Sequence, residues 1–391
     1  MRIDKNKYNC CGCSACAARC PKQAIEMRPD DMGFLYPVID DGKCINCGVC
    51  EKVCKFQPND FVHHEITVKE VLGGRLKDKD NLARSQSGGA FWALATNIIH
   101  SHGVVYGAAF SPDLTVAHIR TTTMEELGKL RGSKYVQSRI EGTYREVTND
   151  LQNGRVVLFS GTPCQVAGLY GYLGSINIDN LFTVDLVCHG IPAPQVWNDY
   201  MAYIEKQSNK KIARCIFRDK SFGWGSHIET FNFADGTKTS NHIFRDLFYS
   251  HLIIRESCHL CPYANLHRVS DVTIGDYWGW ENVSRRFNDQ KGVSLFLVNT
   301  DKGEKMIKSA QSDLEYEKSN LQDCLQPQLK GPASRPGNKD KFFMDYTDKG
   351  FCYVIRRYGF VGWRYKLKET INALILFNKK IMWHINHRLD L

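Results

Sequence analysis

Cys10-Cys11-Gly12-Cys13-Ser14-Ala15-Cys16-Ala17-Ala18-Arg19-Cys20-Pro21 is matched further along by Cys44-Ile45-Asn46-Cys47-Gly48-Val49-Cys50-Glu51-Lys52-Val53-Cys54-Lys55. Both copies step C-x-x-C-x-x-C-x-x-x-C, an internal duplication. Three thiolates at successive three-residue steps on a tight loop wrap three irons of a cubane. The fourth, beginning a short helix and pointing the other way, is expected to ligate the other cluster. The spacing therefore assigns Cys10, Cys13, Cys16 and Cys54 to one [4Fe-4S] cluster, and Cys44, Cys47, Cys50 and Cys20 to its twin. Zinc prefers paired knuckles, and a third cysteine at the same step followed by a fourth is poor tetrahedral design. Gly12 and Gly48 let backbone N–H groups approach the sulfides. Cys11 belongs to neither quartet and reads as a bystander.

This opening segment resembles the bacterial two-cluster ferredoxins. It departs from them at Lys55, where a proline would follow the last cysteine, and Pro58 is expected to take over the chain reversal. GFLYPVI, residues 33–39, reads as part of a hairpin that closes the pseudo-symmetric unit. Nine of the sixteen cysteines lie between Cys10 and Cys54 and seven are scattered over the remaining chain, a clustering that points to metal rather than to disulfides. The first residues lack the apolar core of a secretory signal, so a reducing cytoplasm is the expected compartment. No run approaches the roughly 20 apolar residues of a membrane span. The net charge of +9 over 391 residues would attract an acidic redox protein such as ferredoxin, an anionic cofactor or a membrane surface. Nucleic acid is not an expected partner, because the positive charges gather in the tail rather than in a basic groove interleaved with aromatics.

From residue 66 apolar runs alternate with helical stretches. Strands are predicted at Val104 to Phe110, Val156 to Phe159, Phe182 to Val187, Val272 to Ile274 and Val293 to Val298; helices at Gly89 to His100, Gln165 to Leu173, Val196 to Lys206 and Gly303 to Gln311. The alternation argues for an α/β body on a largely parallel sheet. Ser85-Gln86-Ser87-Gly88-Gly89-Ala90 would expose N–H groups at a helix start suited to a phosphate, or simply cap the helix. Cys164 enters a helix in its first turn, where the dipole favours a thiolate. DLVCHGIP ends a strand at Cys188, and Cys258-His259-Leu260-Cys261 forms a two-ligand knuckle. If Cys164, Cys188, Cys258 and Cys261 converge, they make a third four-thiolate site for a cluster or for zinc. Cys215, Cys324 and Cys352 read as small buried hydrophobes.

SQSGGAFWALA, GSKYVQS, GTPCQVAG, DLVCHGIP, FRDKSFGWGSH and CHLCPYANLHRVSDVTIGDYWG, in that order over residues 70 to 300, resemble the family of the coenzyme F420 hydrogenase/dehydrogenase beta subunit. The resemblance implies FAD and a 4Fe-4S cluster in the body. It implies that Ser87, Gly88 and Gly89 approach the flavin's pyrophosphate or ring, that Ser133, Lys134, Tyr135 and the Thr162 turn complete the pocket, and that Cys164, Cys188, Cys258 and Cys261 hold the cluster. Lys134 would favour negative charge on the reduced ring. The hydrogenase subunit lacks the amino-terminal two-cluster unit, so this chain looks like a fused version, and the family name does not fix its substrate.

Beyond Pro336 the chain turns aromatic and basic. Arg356, Arg357, Arg364, Lys366, Lys368, Lys379, Lys380 and Arg388 face only Glu369 and Asp390 after residue 350. INALILF and IMW lie among them, the pattern of a helix that either lies on an anionic membrane, at the inner face of the cell membrane, or packs on the body. The expected fold class is α+β: a small ferredoxin-like two-cluster domain (residues 1–60), a larger α/β flavin and iron-sulfur domain (66–335) and a basic helical extension (336–391). The expected function is an iron-sulfur flavoprotein oxidoreductase that relays electrons between a low-potential donor, ferredoxin or another redox protein, and an unidentified small-molecule or lipid-linked substrate. The alternative is an electron-transfer subunit docked on a partner enzyme, with no substrate of its own.

Overall fold

The computed structural model describes residues 3, 5–56, 67–363, 365–367 and 370. The amino-terminal module holds two short helices, α1 (Ala15–Arg19) and α2 (Val49–Lys52), and an antiparallel hairpin, β1 (Ile25–Pro29) with β2 (Leu35–Ile39). The duplication persists in the backbone. Gly12 and Asn46, at equivalent places in the two cysteine loops, are both left-handed (φ 72° and 53°), as are Ser14 and Gly48 one step on (φ 63° and 72°). Each loop makes the same turn twice, whatever residue it has available. The helices differ from expectation in polarity: each carries the third cysteine of its quartet, and Cys20 caps the end of α1 rather than beginning a helix. Pro58 lies outside the described residues.

The body is built on eight strands: β3 (Glu70–Leu76), β4 (Val104–Phe110), β5 (Val116–Thr121), β6 (Val157–Gly161), β7 (Leu181–Leu186), β11 (Val272–Asp276), β12 (Ser294–Val298) and β13 (Leu314–Ser319). They are ordered β13-β3-β12-β11-β7-β6-β4-β5. β8 (Ile212–Ile216), β9 (Glu229–Phe233) and β10 (Lys238–Asn241) form a separate antiparallel sheet inserted before β11. The central sheet is mixed rather than largely parallel. Only β4–β6, β6–β7 and β7–β11 run parallel, while both flanks are antiparallel. The sequence reading found the strands of the parallel centre because, buried on both faces, they are continuous apolar runs. It does not mark β3, β5, β13 or the separate β8–β10 sheet: polar residues are spread through the half-buried β5 and β13, and Gly73-Gly74 interrupts the apolar run of β3.

Helices α3 (Ala90–His100), α4 (Pro163–Leu173), α5 (Pro194–Ser208) and α6 (Asp301–Ala310) agree with the helical periodicity to within two residues at most ends. Trp197 on α5 is the centre of the largest apolar cluster, with the rings of Phe217 and Phe244 at 4.7 and 5.2 Å. Side chains of this size each contribute about 1.5–3 kcal/mol when fully buried. The same cluster takes in Phe342 and Tyr346 from α7 (Lys339–Lys349), Phe351, Val354 and Ile355 from α8 (Phe351–Arg357), and Phe360. The start of the aromatic, basic extension is thus packed into the body core. Residues 371–391, which carry INALILF and IMW, lie outside the described residues. Cys215 and Cys324 are buried as expected, but Cys352 is exposed on α8, facing away from that core.

The module rests on α4. A Cβ at Gly168 would meet the Cys13 sulfur at 3.0 Å and one at Gly171 the Val53 carbonyl at 2.2 Å, so two glycines one turn apart make the trough that receives both cysteine loops. The single proton of the Tyr144 hydroxyl is shared between the Cys13 carbonyl at 3.0 Å and the Gln165 carbonyl at 3.1 Å, tying the module to the same helix. Gly171→Val is expected to lower the stability of the anaerobic protein by about 1–3 kcal/mol through overpacking. Gly128→Ala, at a site with open space around it, should change it by less than about 0.5 kcal/mol; urea midpoints measure both.

Candidate redox centres and cofactor cavity

Three groups of thiols come together. Cys10, Cys13, Cys16 and Cys54 are close enough that Cys10, Cys16 and Cys54 are each pushed up, first by burial and then by one or more neighbouring thiols of the same four. Cys20, Cys44, Cys47 and Cys50 line a single small recess between α2 and the hairpin. Each copy of the repeat therefore contributes three sulfurs to one group and its last sulfur to the other. Backbone N–H groups already point at these sulfurs: Ile3 donates to Cys50 and Ala24 to Cys20, both at 3.3 Å. Cys47 is exposed, so this second group lies at the surface.

The third group joins Cys164, Cys188, Cys258 and Cys261. Burial, then the neighbouring thiols, raise Cys188 well above its usual range, Cys258 to about 11 and Cys261 to about 12. Unpaired thiols in such surroundings stay protonated, so this set suits a cation that would displace four protons. Cys164 differs. It sits in the first turn of α4 behind a capping box in which Thr162 N–H donates to Gln165 Oε1 at 3.0 Å, and its sulfur lies 3.2 Å from the Thr162 hydroxyl. Contact with Cys11, and secondarily with Thr162, outweighs burial and lowers its pKa. Among the described residues, no three His, Cys, Asp or Glu side chains close to the spacing of a single metal ion.

Cys11 is not a bystander in position. Its thiol is within hydrogen-bonding reach of both Cys13 and Cys164, which raise its pKa well above the usual value, and so it bridges the first thiol group to the third. The Cys10-Cys11 pair was the sequence signal. Only the packing of α1 against α4 shows where Cys11 points.

At the carboxyl ends of the parallel strands, the usual place for a ligand in such a sheet, lies a cavity of about 500 Å³. Ser87, Gly89, Ser133, Lys134, Tyr135 and Thr162 all line it, and so does Cys188 of the third thiol group. Gly88 does not. It packs beneath the loop, where a Cβ would meet the Gly74 carbonyl at 2.3 Å. The N–H groups expected to greet a phosphate are partly committed, those of Gly88 and Ala90 donating to Ser294 Oγ at 2.9 and 3.3 Å. The Ser87 hydroxyl donates to the Val293 carbonyl at 2.7 Å. The SQSGGA turn is a structural corner more than a phosphate cradle.

Positive charge comes from elsewhere. Lys134 Nζ donates only to the carbonyls of Arg131 (2.8 Å) and Lys129 (3.1 Å), and burial draws its pKa down to about 7. Arg131 stacks on the Trp92 ring at 3.3 Å, with burial and then Arg84 holding it down to about 10, and its Nε has no partner. Arg218, also in the wall, forms a buried pair with Asp276 (2.5 Å), whose other oxygen accepts from Trp224 Nε1 at 2.8 Å. Trp224 stacks on Trp278 at 4.7 Å. His189, next to Cys188, accepts at Nδ1 from Gln328 (2.9 Å) and leaves a buried Nε2 with no partner. His118 is held by the Ser160 carbonyl (3.0 Å) and the Ser138 hydroxyl, and burial pushes it down to about 4, so it is neutral near pH 7. Arg131, Arg218, Asp276, His118 and Trp278 carry no signal in the sequence, whereas His189 reads there as a distant candidate base for Cys164 or, more simply, as a structural histidine. Several stand inside the quoted motifs, but a lone charged or imidazole side chain carries no spacing by which to be read.

Residues 154–323 match the family model for the carboxyl-terminal region of the coenzyme F420 hydrogenase/dehydrogenase beta subunit. Residues 9–57 match the 4Fe-4S dicluster domain. Among solved structures, the chain is similar to one from the xenon-derivatized F420-reducing [NiFe] hydrogenase complex of Methanosarcina barkeri, at 16% identity and a TM-score of 0.46, over 72% of this chain and 94% of that one. No curated protein matches the chain. For the thiol groups the expected result is that Cys20→Ser and Cys47→Ser each lower iron by about four atoms per chain, while Cys11→Ser leaves it unchanged; iron analysis of anaerobically purified protein decides both.

Proposed function

We propose that this chain is an iron-sulfur flavoprotein oxidoreductase, on the support of the matches of residues 154–323 to the carboxyl-terminal model of the coenzyme F420 hydrogenase/dehydrogenase beta subunit and of residues 9–57 to the 4Fe-4S dicluster domain. Its amino-terminal clusters exchange electrons with a low-potential redox protein, and its cavity holds FAD. The observation that carries the reading is the double membership of Cys188, which belongs to the third thiol group and also to the cavity wall. Thiol groups that start at the exposed Cys47 and end at Cys188 make a graded path from the surface to the cavity.

The cavity suits a flavin. It has apolar and aromatic walls, the cations Lys134 and Arg131 without carboxylate partners for a pyrophosphate, and unpartnered donors at His189 Nε2, Arg131 Nε and Arg218 Nε for the oxygens of such a ligand. When bound, a flavin supplies the conversion between single electrons and pairs that clusters cannot perform. The chain's own residues do the rest. The Lys134 ammonium favours negative charge in the cavity, the neutral His189 offers a fixed Nε2–H without adding charge, and Trp278, backed by the stacked Trp224, forms part of the wall. A small-molecule acceptor would enter beside Trp278, which is 39% exposed.

A second reading, an electron-transfer subunit docked on a partner enzyme, is favoured by the family's description as a subunit. The two differ in whether the isolated chain turns over an acceptor.

Anaerobically purified protein is expected to be brown and to release about one FAD per chain on denaturation; full iron loading without FAD would overturn the flavin assignment. Affinity for FAD should fall several-fold between about pH 6 and 8. Below about 7 the Lys134 ammonium is present to meet the anion, and above it the proton is lost. Lys134→Met should flatten that dependence, as measured by fluorescence titration of the deflavinated protein.

A further inference from the structure

Three arginines are buried among the described residues, and two of them have carboxylates: Arg218 pairs with Asp276 at 2.5 Å and Arg268 with Asp185 at 2.9 Å. Arg255 has none. It is 0% exposed, and its donors go to neutral oxygens: Nε to the Cys10 carbonyl at 2.7 Å, Nη2 to the Leu35 carbonyl at 2.8 Å, and Nη1 to Gln137 Oε1 at 3.3 Å. The rings of Tyr36 and Phe34 cover the guanidinium at 4.2 and 5.3 Å. Carbonyls and ring faces satisfy its hydrogen bonds, but they do not neutralise a full charge held away from water, and a cation so placed is costly without an anion.

Its position shows which anion. Arg255 lies three residues before Cys258, on a body segment that contacts the module, and the Ser257 hydroxyl donates to the same Cys10 carbonyl at 2.8 Å. Its charge acts on Cys10 and Cys13 of the first thiol group and on Cys164 and Cys258 of the third. No other buried cation faces both groups among the described residues.

We propose that Arg255 is the shared counter-ion of the first amino-terminal cluster and the body's cluster, a positioning residue that locks the module onto the body and raises the reduction potential of both centres. The proposal rests on the cluster reading of the two thiol groups. Four thiolates around a cubane leave a net negative charge, and adding an electron increases it. A fixed cation in a low-dielectric junction therefore stabilises the reduced state of each neighbour. Because one residue serves both centres, their potentials move together, and the step between them changes less than either value.

The test is an EPR-monitored redox titration of the full, iron-loaded chain. Arg255→Gln removes the charge and should shift both centres to more negative potential, by about a factor of ten in the one-electron equilibrium or about 59 mV, whereas Arg255→Lys should stay close to wild type. Gln137→Glu leaves Arg255 in place and sets a carboxylate against Nη1. It should lower the same two potentials even if Arg255→Gln fails to fold. The surface group formed by Cys20, Cys44, Cys47 and Cys50 should respond least. Iron-loaded variants with unchanged potentials would overturn the role of Arg255 alone; a wild-type chain without iron would overturn the cluster reading and this proposal with it.

Discussion

The contact between the Cys13 loop and helix α4 governs how the amino-terminal thiols sit against those of the body among the described residues. Gly168 and Gly171 strip side chains from one face of α4, and the two cysteine loops settle into the space, with the Cys13 sulfur and the Val53 carbonyl at the closest approach. The same helix begins at Cys164, the first member of the third thiol group. A single short helix thus sets the separation between the amino-terminal sulfurs and those of the body. Its own start is fixed by Pro163 and the Thr162–Gln165 capping box, so the helix cannot slide without losing its cap. The placement of these thiols comes from backbone packing rather than from flexible side chains.

The body completes the path by topology. Strands β6, β7 and β11 run parallel and end together, and the turns after β6 and β7 deliver Cys164 and Cys188 to one side of the sheet. Buried charge holds the remaining cysteines in place. Arg268 donates to the carbonyls of Tyr263, Asn265 and Leu186 and pairs with Asp185, which staples the Cys261 loop to β7. Lys339 of α7 is equally buried and donates to the Ile254 carbonyl, with His259 Nε2 at 2.8 Å. The carboxyl-terminal helices therefore brace the knuckle from outside. A segment that reads as an appendage is part of the support for the third thiol group.

Much of this was legible residue by residue. The two quartets, their exchange of a last cysteine, the strands at the sheet centre and most helix limits follow from periodicities of two, three and 3.6 residues, which are local properties of a chain. Six of the seven residues expected around the flavin line the cavity; the seventh, Gly88, has no side chain because of the Gly74 carbonyl beneath it. What stayed open in the sequence was chemistry that looks the same in two settings. A Gly-rich turn before a helix is a phosphate cradle when its N–H groups are free and a plain corner when a serine such as Ser294 accepts from them. A basic, aromatic stretch can lie on a surface or, as with Phe342 and Phe351, enter a core.

By itself, then, the sequence determined which thiols group within each cysteine loop and which segments become the strands of the sheet centre and the long helices beside them, since these depend on spacing along one piece of backbone. Tertiary structure alone decided the position of Cys11 between two thiol groups, the burial of Arg255 without a carboxylate, and the mixed flanks of the sheet. Each of these arises from residues far apart in the chain meeting in a medium of low polarity. There, a charge or a thiol takes its character from its neighbours rather than from its place in the sequence.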